Sequence, residues 1–279
     1  MELQVAGQRV FCHHAGGRGN SALPTAVFLH GALHDRLVWA PQARHLARHG
    51  CRVLAPDLPG HGRSAGPALN SIEDMANWLR ALLDAAGVAQ TLLIGHSMGA
   101  LIALETAHRA PGRVRAIAML GAAYPMKVSD ALLEAALTDE AGAIDMINKW
   151  SHSAAPDDPA AQDRASHLLA SAKRRMQRVA RLGPAHLLHT DFSACNAYAG
   201  GDTAARALRC PALFICGSAD KMTPSKASAP LIAAVPRARV ETLLAGHALM
   251  EEQPARVAEI LRDFATSLPG EAAELSSPT

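Results

Sequence analysis

The chain is short of aromatics, of net charge and of long apolar runs, and each shortage removes a class of function. Its 27 Lys and Arg nearly balance 25 Asp and Glu, and a formal charge of +2 gives no electrostatic footprint for nucleic acid. No stretch approaches the roughly 18 apolar residues of a membrane span. Residues 1–5 (Met-Glu-Leu-Gln-Val) lack the basic start and apolar core of a secretory signal, so the expectation is a cytoplasmic protein. The five cysteines, Cys12, Cys51, Cys195, Cys210 and Cys216, are scattered, odd in number and form no C-x-x-C, which reads as free thiols in a reducing compartment. His45 and His49 share a helical face but lack the glutamate of H-E-x-x-H, so no metal site is expected there. There is no G-x-x-x-x-G-K-[ST]. Residues Gly60-His61-Gly62-Arg63-Ser64-Ala65 match a dinucleotide fingerprint formally. Pro59 and Pro67 bracket them, and the next helix signal waits until Ser71, so the context for nucleotide binding is missing.

What is present is a β-α-β alternation. Aromatics are only 4% of the chain, so alanine does much of the apolar filling, yet 279 residues at 49% hydrophobic content suffice for a full core. The first stretch, Leu3–His14, ends in turn chemistry at residues 15–21. Strand-like runs follow at Thr25–Leu29, Cys51–Ala55, Leu92–Ile94 and Val114–Leu120. Helical segments lie between them at Arg36–His49 (Asp35 as N-cap, Gly50 as stop), at 71–86 behind a Ser71/Asp74 capping pattern, and at Met98–Arg109. This predicts an α/β protein with a mostly parallel, doubly wound sheet. From Tyr124 to Arg206 no strand is evident. Helices are expected at Asp130–Leu137, Glu140–Ser151 and Pro159–Leu182, then a loop through His189–Asp202. The alternation resumes with Ala212–Cys216, Ser225–Val235, Val240–Leu244 and Pro254–Ser267. The domain reading is therefore a core of residues 1–123 and 207–268, a helical insertion of 124–206 after the sixth strand, and a frayed tail of 269–279.

The chemistry begins at Gly95-His96-Ser97-Met98-Gly99, placed between a strand and a helix. That context marks a nucleophilic serine on a sharp turn, flanked by glycines because side chains at 95 and 99 would strike the adjacent strand or helix. A serine needs a base, and the base an orienting acid. Asp220 follows the strand at 212–216, and His247 follows the next one. Parallel strands align their C-terminal ends on one edge, where Ser97, Asp220 and His247 are expected to form a hydrogen-bonded relay. The oxyanion hole is assigned to the backbone N–H groups of Met98, at a helix N-terminus, and of Ala32, in the loop after the strand at 25–29.

In these motifs the chain resembles the α/β-hydrolase fold family. The matching segments are His30-Gly31, residues 57–64 (Asp-Leu-Pro-Gly-His-Gly-Arg-Ser), the elbow at 95–99, Gly217-Ser218-Ala219-Asp220 and Gly246-His247, in family order across nearly the whole core. The resemblance implies that residues 124–206 are a cap covering the site. It also implies a cofactor-free hydrolysis of carboxylic esters, or related acyl transfer, on a small-molecule substrate. Ser97 argues against the epoxide hydrolases and haloalkane dehalogenases of the family, which use an aspartate nucleophile. Carbon–carbon bond hydrolases, thioesterases and perhydrolases share the triad and remain open, as does a ligand-binding receptor that keeps the fold.

Candidate pocket residues are Gly31, Leu33, Met126, Met146, Trp150, Phe192 and Leu249; their apolar character suggests a small or medium ester. His96 reads as packing, His30 as a loop stabiliser and Ser64 as a turn residue. Arg174, Arg178 and Arg181 share a helical face, which reads as a solvated surface. No nucleic-acid or membrane partner is expected, and the oligomeric state is open, a homodimer included.

Overall fold

The computed structural model describes residues 1–16, 23–154 and 157–268. The expected tail at 269–279 and most of the turn at 15–21 lie outside them. The strands are β1 (Glu2–Val5), β2 (Gln8–Ala15), β3 (Thr25–Leu29), β4 (Val53–Pro56), β5 (Thr91–His96), β6 (Val114–Leu120), β7 (Ala212–Gly217) and β8 (Ala238–Leu243). They form one sheet in the order β1-β2-β4-β3-β5-β6-β7-β8. The β1–β2 and β2–β4 pairs are antiparallel; every later pair is parallel.

The central strands bury both faces, which is why they read as unbroken apolar runs. Alternation sorts them: Leu93, Ile117, Met119 and Phe214 pack on one side with helices α2 (Ile72–Ala85) and α3 (Met98–Arg109). Leu92, Ile94, Ala118, Leu213 and Ile215 pack on the other with α1 (Ala40–Arg48) and α11 (Pro254–Ser267). Every residue of α3 from Met98 to Ala107 is buried, so this helix has no solvent face until its last turn. Ser71 caps α2 by accepting the Asp74 N–H at 3.0 Å.

Between β6 and β7 lie α4 (Asp130–Thr138), α5 (Glu140–Ser151), α6 (Pro159–Leu182), α7 (Leu187–Ala197) and α8 (Gly201–Arg206). Residues from α4 to α7 build a third apolar cluster together with Leu33, above the sheet edge. Ala204 and Ala205 of α8 instead join the core beside α3. Two short elements complete the last third of the chain: α9 (Ser225–Ala234) and α10 (Leu249–Glu252).

Three expectations need correction. The stretch Leu3–His14 is not one run but a hairpin: Ala6 and Gly7 both adopt positive φ, 49° and 77°, and reverse the chain. The helix from Arg36 opens as a 3-10 turn at Arg36–Trp39 before α1, with Pro41 in the first turn of α1. The loop assigned to His189–Asp202 contains most of α7 and the start of α8. No capping side chain announces α7, whose preceding residue, His186, is left-handed at φ 59°. Among the described residues no helix is long and apolar enough to cross a membrane.

Candidate active site

Strand register gathers the candidate residues on one edge. His96 pairs with Leu120, Leu120 with Ile215 and Gly217 with Leu243, so β5, β6, β7 and β8 end in step. Ser97 sits immediately beyond β5 at φ 53°, ψ −116°, a conformation that costs a non-glycine residue about 1–3 kcal/mol. Its N–H is tied to Leu120 O at 2.9 Å. The flanking glycines make the turn possible. A Cβ on Gly95 would run into the Gly99 carbonyl, and one on Gly99 into the Leu29 carbonyl at the end of β3.

The acid and the imidazole are joined by a second close approach. Gly217 lets the 245–246 backbone pass over it, since a Cβ there would meet the carbonyls of Ala245 and Gly246. Ser218 N–H donates to Leu243 O (2.9 Å) and Ala219 N–H to Ala245 O (3.0 Å), fastening the two loops together. Asp220 Oδ2 then lies 2.8 Å from His247 Nδ1. The carboxylate is saturated: Oδ1 accepts the Met222 and Thr223 N–H groups, each at 2.8 Å, and Oδ2 accepts the Thr223 hydroxyl at 2.7 Å. Burial opposes ionisation of Asp220, but the His247 imidazole and these hydrogen bonds outweigh it and hold the carboxyl well below the usual range. A carboxylate only accepts, so Nδ1 of His247 carries a proton, which leaves Nε2 as the nitrogen that can exchange one with a reacting group. Gly121, at φ 55°, leaves room for this ring; a Cβ there would stand 2.9 Å from His247 Cε1 and Nδ1.

Ser97 and His247 line two chambers that also share Ala32, Phe192 and Met222. The hydrogen bond expected between them is not made among the described residues, so the relay is complete from Asp220 to His247 and open from His247 to Ser97. The N–H groups of Ala32 and Met98 have no protein partner among the described residues, and Ala32 lines both chambers.

The inner chamber has a free volume of about 40 Å³ and the outer one about 380 Å³. Gly31 and Phe192 line the inner chamber; Met126, Trp150 and Phe192 line the outer one. Leu33, Met146 and Leu249 were also expected there, and the structure places them elsewhere. Leu33 is fully buried in the apolar cluster of the insertion, Met146 packs against that cluster, and Leu249 is fully buried beneath the sheet with α11. An apolar side chain says that it is covered but not by what. The neighbours of Leu249, Ala248 and Met250, reach the inner chamber instead.

Several polar residues of the site escaped the sequence reading. Asp191 on α7 is fully buried, and its Oδ2 accepts the Leu33 N–H (2.9 Å) and lies 2.9 Å from His61 Nε2. Burial disfavours the His61 cation, yet Asp191 more than compensates and raises its pKa. Leu33 is left-handed at φ 51°, so a carboxylate from the insertion fixes a strained residue next to Ala32. His30 accepts the Leu58 N–H at Nε2 (3.0 Å), and Ser64 bridges Phe11 N–H and Asp57 O, both loop-holding contacts. The glycine-rich turn wraps the chain's own anion: Asp57 accepts the N–H groups of Arg36 and Arg63, and a Cβ on Gly62 would collide with its carboxylate. His49 Nδ1 donates to His45 O at 2.8 Å, closing the end of α1. All five cysteines are free; burial pushes the Cys12 thiol up to about 12 and Cys51 up to about 11.

Comparison with known proteins agrees with this architecture. Among curated relatives, an acetyltransferase component of the acetoin cleaving system from Pseudomonas putida is 35% identical over 123 residues, 44% of this chain and 32% of that protein. A 2-succinyl-6-hydroxy-2,4-cyclohexadiene-1-carboxylate synthase from Salmonella paratyphi B is 37% identical over 89 residues, 32% of this chain and 34% of that one. The chain thus spans about a third of the length of the curated relatives it matches. Among solved structures, an enol-lactonase from Burkholderia xenovorans superposes with a TM-score of 0.83 at 24% identity, covering 96% of this chain and all of that one. An esterase from Exiguobacterium antarcticum gives 0.81 at 18% identity, covering 96% and 99%. The model of the alpha/beta hydrolase fold family matches residues 24–254, and the chain belongs to that family.

Proposed function

We propose that the protein is a serine hydrolase of small or medium carboxylic esters, acting through an acyl-enzyme. The observation that carries this reading is the Asp220–His247 pair, saturated and buried on the Asp220 side, whose imidazole shares a cavity with a strained, half-buried serine. Ser97 Oγ attacks the ester carbonyl as its proton passes to His247 Nε2. The Asp220 carboxylate stabilises the imidazolium, and the N–H groups of Ala32 and Met98 receive the oxyanion. His247 then returns the proton to the leaving alcohol, and the same imidazole activates water to release the acid. The names of two relatives in structure, an enol-lactonase and an esterase, describe ester-bond chemistry of this kind, cyclic in one case.

The test is steady-state turnover of p-nitrophenyl acetate and butyrate. Wild type is expected to turn over, and Ser97→Ala to lose at least about 10³-fold in kcat while its thermal unfolding is retained. Equal rates above background in the two proteins refute the reading.

A further inference from the structure

The inner chamber has a polar end that the hydrolytic steps do not use. Asn148, in α5, and His152, immediately after it, are one helical turn apart, and both line this chamber. Each is about nine-tenths buried, and each keeps one polar atom without a partner among the described residues: Asn148 Oδ1 and His152 Nε2.

Their hydrogen bonds fix what those atoms offer. Asn148 Nδ2 donates to Leu169 O at 2.9 Å, which orients the amide and leaves Oδ1 as a bare acceptor. His152 Nδ1 lies 2.9 Å from Asn148 O, and a carbonyl can only accept, so Nδ1 carries a proton. Glu251 Oε2 stands 3.8 Å from His152 Nε2, outside hydrogen-bonding range but close enough to favour a proton there. Burial works against the His152 cation, and Glu251 more than offsets it, so its pKa is raised. Glu251 is itself paired with Arg175 of α6. Among the residues lining the chamber, an acceptor at Asn148 Oδ1 and a donor at His152 Nε2 are therefore left without protein partners.

We propose that Asn148 and His152 form a hydroxyl-recognition subsite, so that the preferred substrates carry a small hydroxylated arm. A hydroxyl is a small neutral group that both donates, here to Asn148 Oδ1, and accepts, here from His152 Nε2. An ammonium would meet the imidazole donor, and a carboxylate would meet the Asn148 oxygen and the Glu251 carboxylate. A free volume of about 40 Å³ holds only a few non-hydrogen atoms, so the arm is short. Leaving two buried polar atoms unpaired penalises the methyl isostere, which is the basis for strong discrimination at such a site.

This inference rests on the proposed ester chemistry, and two matched pairs separate the two. The acyl-side pair is p-nitrophenyl 3-hydroxybutyrate against p-nitrophenyl 3-methylbutyrate; the alcohol-side pair is 2-hydroxyethyl acetate against propyl acetate. Wild type is expected to favour the hydroxyl partner at least tenfold in kcat/KM in one pair. That ratio falls to within twofold in both Asn148→Leu and His152→Phe; a merely structural lesion lowers both partners alike and leaves the ratio intact. Calorimetry with Ser97→Ala reads binding without turnover, and the same tenfold preference is expected in Kd. Turnover with both wild-type ratios within twofold overturns the subsite and leaves the hydrolase standing. No turnover, with preferential binding of the hydroxyl partner, does the reverse. A preference for p-nitrophenyl hemisuccinate over the hydroxybutyrate, or a ratio surviving both variants, also overturns the subsite.

Discussion

Around the cavity, the sheet side is held mainly by backbone and the insertion side mainly by side chains. Gly95, Gly99, Gly121 and Gly217 each admit a neighbour that a Cβ would expel, and the chain ends of β5 to β8 are locked by main-chain hydrogen bonds. The insertion is anchored instead by pairs far apart in sequence: His61 with Asp191, Asp35 with Arg178, and Glu251 with Arg175. The first kind of constraint sets where chemistry occurs. The second acts through longer side chains, which suits a surface that chooses substrates, although Ser151 O of α5 also accepts the Ala248 N–H (2.8 Å) beside His247.

The sharpest division is expected from Asp220→Asn. The amide can donate toward His247 Nδ1 and so favour the tautomer with the proton on Nε2, which cannot accept from Ser97. By analogy with a buried triad aspartate elsewhere, kcat for p-nitrophenyl acetate should fall about 10⁴-fold. The unfolding midpoint should move little beside that, because Thr223 and the Met222 N–H still find an oxygen. A loss under tenfold would mean that the sheet edge does not carry the chemistry.

Asp191→Leu asks whether the division is complete, since this residue belongs to the insertion but touches the loop of Ala32. Removing one partner of a buried pair costs about 3–5 kcal/mol. Releasing Leu33 from its left-handed conformation should also lower kcat about a hundredfold, the order of one lost oxyanion donor. The pH dependence has a definite sign. The folded state raises the pKa of His61, so its contribution is complete below the unfolded value of about 6.5 and fades as pH rises through the raised one. Urea unfolding of wild type and variant should converge with rising pH across that window.

Much of the sheet side was legible because its constraints are local. Glycines at fixed offsets around Ser97, an apolar run before it and an apolar helix after it all fall within some 20 residues, and the expected bounds of β3, β6, α3 and α11 coincide with those observed, as do those of α5 and α6 in the insertion. The hairpin at Ala6-Gly7 was not, since alanine is a poor signal for positive φ. The insertion hid more. Asp191 meets His61 across 130 residues and Leu33 across 158, and no periodicity encodes that. Leu33, Met146 and Leu249 share residue type with true wall residues such as Met126 and Phe192; only the packing separates them.

Trp150→Ala probes the insertion as a selector. Trp150 lines the outer chamber but not the inner one. Truncation should lower kcat/KM for p-nitrophenyl hexanoate about tenfold relative to acetate, the scale on which a hydrophobic pocket discriminates. An equal loss on both esters would give the insertion a share in the chemistry itself.

The smallest effects test the side-chain anchors on α6. Arg174, Arg178 and Arg181 share the face expected to be solvated, but the structure divides them. Arg178 pairs with Asp35, whose side chain is only 1% exposed, while Arg174 is exposed and has no ion pair among the described residues. Asp35 also caps the 3-10 turn by accepting the Leu37 N–H at Oδ1 (3.0 Å), so loss of Arg178 leaves its buried Oδ2 without that partner. Arg178→Gln should therefore cost about 1.5–3 kcal/mol in urea unfolding, the range for a hydrogen bond to a charged group. Arg174→Gln should stay within about 0.5 kcal/mol. Because the Arg178 pair is partly buried, added salt should leave most of that difference in place. If both substitutions prove neutral, the Arg178 pair is no anchor, and the side-chain links of the insertion narrow to Asp191 with His61 and Arg175 with Glu251.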